Sequence, residues 1–250
     1  MTSSVITIQV AQQANSAMKL LLTSLGITNH TIRRALHELT GKPIAKTVLA
    51  YIPTAIHAMP DGGVYAWDRV RKQFELGWQK VALLELTAFP SMEKAHWLNQ
   101  LLEADVILVD GGNTPYLSHW LYASGLAAEL PRLLENRVYV GVSAGSLIVS
   151  DSLHIDKQEL RNTGMYKDDQ YGDIAPPNAG SDKTLRLVPF TLRPHLGADY
   201  FEHVSMEDME RQAAMVDTPL YAIDDQTAIR VEDGVVTVIS EGDWRLFNEY

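Results

Sequence analysis

No cysteine occurs anywhere in the 250 residues. That absence excludes disulfides, thiolate metal sites and every mechanism built on a cysteine nucleophile. Positive charge is also scarce: 21 Lys and Arg stand against 31 Asp and Glu, for a formal charge of -10 and a pI near 5.2. Such a surface argues against nucleic acid or an anionic membrane as a partner. No apolar run approaches the ~20 residues that span a bilayer. The opening stretch MTSSVITIQVAQQ lacks a basic region ahead of an apolar one, so a cytoplasmic protein without a signal peptide is expected. Neither Gly-x-x-x-x-Gly-Lys-Ser/Thr nor Gly-x-Gly-x-x-Gly is present, which leaves no phosphate-cradling loop. The eight histidines include no His-Glu-x-x-His, and His30 and His37 are expected to lie exposed on one helix. No metal and no cofactor are expected.

What is present suits a sizeable core: 46% of the residues are hydrophobic and the mean hydropathy is -0.08. Residues 1–17 are expected to form a flexible N-terminal extension, and residues 18–250 one domain. From Met18 onward apolar runs alternate with helical patterns. KLLLTS, TVLAYIP (47–53), KVALLEL (80–86), DVILVD (105–110) and RVYVGV (137–142) are expected strands. AWDRVRKQFELGW (66–78), SMEKAHWLNQLLEA (91–104, with Ser91 as cap) and the stretch 114–135 are expected helices. Strands that are apolar on both faces and separated by helices imply an α/β fold with a mainly parallel sheet covered on both sides. Residues 151–183 turn polar and are expected to form a loop or lid. RLVPF and LYAID follow as strands, TAIRVEDGVVTVIS as a hairpin turning at Asp233-Gly234, and DWRLFN as an edge strand.

The sharpest local signal is GVSAGS, residues 141–146. A serine between glycines, after a buried strand and before an apolar helix, fits a nucleophile elbow, in which a strained turn lifts the hydroxyl out of the sheet. A capping serine in a glycine-rich turn has the same composition, so partners have to be found. In a parallel sheet they belong at the carboxyl ends of strands. Gly111-Gly112-Asn113-Thr114 follows one strand, and Asp224-Asp225 follows another. His195, stiffened by Pro194, is the candidate base, and His203 among acidic residues is expected on a surface helix. The order Ser143, His195, Asp225 differs from the Ser, acid, His order of α/β-hydrolases.

VDGGNTPYL, GVSAGS, VPFTLRPH and YAIDDQTA, in this order and at these spacings, resemble the peptidase E family of aspartyl dipeptidases and cyanophycinases. The resemblance runs from about Met18 to the final hairpin. It implies a three-layer, flavodoxin-like sandwich related to class I glutamine amidotransferases, whose elbow cysteine this chain cannot supply. It further implies a serine peptidase that hydrolyses short peptides at the N-terminal residue through an acyl-enzyme, without metal or cofactor. Ser143 would be the nucleophile, His195 the base and Asp225 the acid, with Asp224 and Asp156 as alternatives. The N–H groups of Gly112 and Ala144 would form the oxyanion hole. Asn113 and Arg211 are candidates for substrate binding, with Lys157, Arg161 or Lys167 as substitutes for Arg211. The arginine that aspartyl dipeptidases keep after the catalytic histidine has no counterpart in HLGADYFEHVSMEDMER ahead of Arg211. Cleavage of free-amino-terminus peptides without strict Asp preference is therefore expected. An esterase or a non-catalytic binding protein on the same fold are the alternative readings, and the oligomeric state is open.

Overall fold

The computed structural model describes residues 4–9, 18–168 and 172–249. The chain begins with β1 (Ser4–Gln9), β2 (Lys19–Thr23), α1 (His30–Thr40), β3 (Val48–Ile52), α2 (Gly62–Glu75) and β4 (Lys80–Leu83). It continues through α3 (Lys94–Glu103), β5 (Val106–Val109), α4 (Thr114–Ala123), α5 (Leu126–Leu133), β6 (Val138–Val142) and the short α6 (Ala144–Leu147). The polar stretch carries α7 (Lys157–Thr163), β7 (Tyr166–Lys167) and β8 (Ile174–Ala175). Last come β9 (Thr191–Arg193), α8 (Met206–Ala213), β10 (Leu220–Ile223), β11 (Thr227–Glu232), β12 (Val235–Ser240) and β13 (Trp244–Phe247).

Eight strands form the main sheet in the order β1-β12-β11-β2-β6-β5-β3-β4. Its five strands from β2 to β4 run parallel, and β11, β12 and β1 complete it antiparallel. Consecutive residues of β2 enter opposite cores: Leu20 and Leu22 pack beneath α3 to α6, whereas Leu21 packs with Ile32, Leu36 and Leu39 of α1. Burial on both faces is what a continuous apolar run such as VILV or VYVGV requires. The result is the α/β sandwich with a mostly parallel central sheet that the sequence pattern implies. A second sheet, β13-β10-β9, stands beside it, with β9 and β10 parallel and β13 antiparallel at the edge.

Several elements differ from the sequence reading. Ser4–Gln9, inside the expected extension, form β1 and pair with β12; alternation in SVITIQ is the signal for it. Residues 1–3 and 10–17 of that extension lie outside the described residues. Leu86–Ser91 wind into a 3-10 turn containing Pro90, so α3 starts later, behind Glu93 rather than Ser91. The stretch 114–135 is two helices, because Gly125 takes a left-handed conformation (φ 80°) between them. RLVPF is not a strand: Leu185 and Leu187 donate to the carbonyls of Ile148 and Val149, and pairing with β10 begins at Thr191. His203 sits in a bend before α8 rather than on a helix. The Asp233-Gly234 hairpin turn has the two positive φ angles (51° and 78°) that a tight turn of this kind needs.

Candidate active site

Ser143 follows the central strand β6 and precedes α6. Its backbone is held at φ 49°, ψ -113°, a region that costs an L-residue about 1–3 kcal/mol. The corner is fixed from both sides: Ser143 N–H donates to Thr23 O (3.0 Å), and Ser143 O accepts from Ser146 N–H (2.8 Å) and Leu147 N–H (2.9 Å). Glycine at 145 is obligatory, since a Cβ there would lie 2.0 Å from Val109 O on the neighbouring strand.

His195 enters from the end of β9, buried and at φ 65° behind Pro194. Its N–H donates to Ser24 Oγ at 2.8 Å. The ring's Nε2 is 2.9 Å from Ser143 Oγ and its Nδ1 is 2.8 Å from Asp225 Oδ1. A carboxylate only accepts, so Nδ1 carries the proton and Nε2 is left to accept from the serine hydroxyl. Ser24 also donates to Asp225 Oδ1 (2.5 Å), and Tyr200 donates to Oδ2. Burial opposes charge on Asp225, but hydrogen bonds from His195, Ser24 and Tyr200 outweigh it and hold the carboxyl below its ordinary value. Burial and the adjoining carboxylate push the Tyr200 phenol up, so it remains a donor.

Opposite Ser143 stands the Gly111-Gly112 turn at the end of β5, which pairs in parallel with β6. Gly112 adopts φ 133°, and a Cβ there would lie 2.3 Å from the Ala55 carbonyl carbon. Gly111 N–H donates to Asp110 Oδ1 (2.7 Å). The N–H groups of Gly112 and Ala144 have no acceptor among the described residues.

The remaining candidates lie elsewhere. Asp224 Oδ1 accepts from Gln226 N–H (3.0 Å) and Thr227 Oγ1 (2.6 Å), and its Oδ2 accepts from Asp243 N–H (2.7 Å). It pins the approach to β13. Asp156 caps α7, accepting from Gln158 N–H and Glu159 N–H at 2.9 Å each. Asn113 caps α4 through Oδ1 (2.9 Å from Tyr116 N) and donates to Ile174 O (3.2 Å), so its amide ties α4 to β8. Arg211 lies on the exposed side of α8, paired with Glu207 (3.1 Å) and Asp208 of its own helix. Lys157 pairs with Asp182 (2.7 Å), Arg161 bonds Gln158 (3.0 Å), and Lys167 is in β7. His30 and His37 are exposed on α1. No group of three or more His, Asp and Glu among the described residues is placed to hold a metal ion.

Two residues of the site, Ser24 and Tyr200, and one on the strand leading to it, Arg193, have no counterpart in the sequence analysis. Ser24 and Tyr200 reach Asp225 only because β2 and the loop after His195 meet there, and nothing local signals that. Arg193, two residues before His195, is a buried guanidinium whose Nε bonds Gln212 Oε1 (2.6 Å) and which has no carboxylate partner among the described residues.

A serine, a histidine and a carboxylate joined in series at the carboxyl edge of a parallel sheet place the chain among α/β proteins carrying a hydrolase-type array. The sequence model of peptidase family S51 matches residues 20–239. The chain belongs to that family and is a serine-type peptidase. It is 29% identical to "Peptidase E" of Streptomyces coelicolor over 239 residues, covering 92% of this chain and 87% of the relative. It is 27% identical over 154 residues to "Probable alpha-aspartyl dipeptidase" of Drosophila melanogaster, covering 59% and 58%. The crystal structure of a peptidase from an acI-B1 Actinobacterium shares the fold, with a TM-score of 0.65 at 16% identity over 94% of this chain and 92% of that one. No helix among the described residues is long and apolar enough to cross a membrane.

Proposed function

We propose that the protein hydrolyses short peptides at the N-terminal residue through a Ser143–His195–Asp225 triad. The observation that carries this reading is the unbroken series Ser143 Oγ, His195 Nε2, His195 Nδ1, Asp225 Oδ1, with links of 2.9 and 2.8 Å. His195 takes the proton from Ser143 as the hydroxyl attacks the scissile carbonyl, while Asp225 steadies the imidazolium. The oxyanion rests on the N–H groups of Gly112 and Ala144, each worth about 10²–10³ in rate. His195 then protonates the leaving amine, and water releases the acyl group by the same route. The elbow strain of Ser143 and the serine-peptidase family support this assignment. Asp225 is preferred over Asp224 and Asp156, whose carboxylates are engaged by backbone donors elsewhere. Residues 18–250 are read as one peptidase domain.

On specificity, the names of the relatives suggest dipeptides as substrates. Arg211, paired with two acids of its own helix, is poorly placed to grip a third. Cleavage of free-amino-terminus dipeptides without strict Asp preference follows. One observation favours a second reading: Arg193 is a buried cation without an acid partner among the described residues, and a substrate carboxylate within its reach would be held strongly. A dipeptide-library screen with Ser143→Ala as control tests both. Comparable kcat/KM for Asp-Leu, Ala-Leu and Leu-Leu supports the first reading. A preference for Asp above ~100-fold that disappears in Arg193→Gln supports the second. Turnover of simple esters but no peptide would replace both with an esterase.

A further inference from the structure

Asp110 closes β5 immediately before the glycine turn, and its carboxylate is almost fully buried (1% exposed). Four donors converge on it. Gly111 N–H (2.7 Å) and Arg69 Nη2 (2.6 Å) meet Oδ1, while Arg69 Nε (3.1 Å) and the Tyr51 hydroxyl meet Oδ2. Arg69 comes from α2, far away in sequence, and its Nη1 also reaches Leu25 O at 3.4 Å. Leu25 follows Ser24, the hydroxyl that accepts from His195 N–H and donates to Asp225. One guanidinium therefore ties the turn facing Ser143 to the loop that holds the histidine and its acid.

We propose that Arg69 and Asp110 form a positioning pair for the oxyanion hole. The pair fixes the donor turn and cancels a carboxylate charge that would otherwise oppose the oxyanion. The proposal rests on the Ser143–His195–Asp225 reading above.

The chemistry runs in two parts. By taking Gly111 N–H, Asp110 fixes the peptide plane entering the turn and leaves the next amide, that of Gly112, open toward the reaction. An anionic carboxylate so close to the oxyanion donors carries the wrong sign for a developing negative charge, in a site where charge is weakly screened. The bidentate guanidinium neutralises it, and the Tyr51 hydroxyl occupies the remaining acceptor site. Stability alone does not call for such a pair, because buried ion pairs are often replaceable by apolar residues without loss. Breaking only one half leaves a buried charge uncompensated, and that asymmetry makes the proposal testable.

Dipeptide hydrolysis is measured for Arg69→Met, Asp110→Asn and the double variant. Inhibition by a peptide aldehyde, which forms a tetrahedral adduct, is measured alongside. In Arg69→Met, kcat should fall about 100-fold, the loss of one oxyanion donor, with KM within about threefold of the parent. Aldehyde affinity should fall in step with kcat/KM. The double variant should recover at least about tenfold in kcat over Arg69→Met, because the stranded charge is gone. Arg69→Lys, which keeps the charge but not the fork, should lie between the parent and Arg69→Met and remains informative if Arg69→Met does not fold. Equal kcat in Arg69→Met and the double variant, a rise in KM with kcat unchanged, or unchanged aldehyde affinity would overturn the proposal. Failure of the underlying triad reading appears separately, as peptide hydrolysis that survives Ser143→Ala.

Discussion

Asp224 and Asp225 are adjacent, yet their carboxylates meet different parts of the molecule. Asp225 receives His195, Ser24 and Tyr200, whereas Asp224 receives Gln226, Thr227 and Asp243. Asp225→Asn should therefore lower kcat by up to about 10⁴ with little change in melting temperature, because the acid fixes the histidine tautomer. Asp224→Asn should leave kcat within about threefold, and lower stability by roughly 1–2 kcal/mol through its weakened, partly exposed hydrogen bonds to Gln226, Thr227 and Asp243. Parallel kinetics and thermal melts of the two variants check this, and the reverse pattern would move the acid to Asp224. Much of this was legible in the residues themselves. Serine between glycines, histidine behind proline and an acid at a strand end single out three residues that the fold brings together. Ser24, Tyr200 and Arg193 were not legible, since a lone serine, tyrosine or arginine has no local signature and acquires meaning only from what the fold brings against it.

Among the elements, the glycine turn after β5 and the hairpin of β7 and β8 make separate demands. Gly112 is held at φ 133° with the backbone of Ala55 where a side chain would begin. Gly112→Ala must displace the turn, so kcat should fall at least about 100-fold while the far-ultraviolet spectrum is retained; an active Ala variant would remove Gly112 from the oxyanion hole. Asp173, just before β8, accepts from Thr114 N–H at the start of α4 and lies near Asp168. Burial, and then the charge of Asp168, raise its carboxyl to about 7 against the opposing pull of that N–H. Between pH 4 and 7 the folded chain then holds a proton that the unfolded chain has released, so this group's contribution falls as pH rises through that window. Asp173→Asn should melt higher than the parent at pH 8, with the difference shrinking toward pH 4.5. A difference that does not vary with pH would contradict this. Strand positions were well marked by apolar runs bounded by glycine and acid. Boundaries failed where backbone geometry decides them, as at Gly125 and in the 3-10 turn before α3, or where pairing partners do, as for β1 and β9.

In the whole molecule, parallel pairing of β2, β6 and β5 carries Ser24, Ser143 and Gly112 to one edge of the sheet. The second sheet then delivers His195 from β9, and Asp225 follows β10, the strand paired with it. This is why the three side chains meet in the chain order Ser143, His195, Asp225. That order was readable from the sequence, but the role of a separate three-stranded sheet in setting it was not. Reaction with a fluorophosphonate, followed by mass spectrometry of the intact and digested protein, reads out whether Ser143 is the nucleophile of this assembly. One adduct is expected, on Ser143, formed in step with loss of dipeptide hydrolysis and greatly slowed in His195→Ala. Full inactivation with the label on another residue, or full labelling of Ser143 with hydrolysis intact, would contradict it.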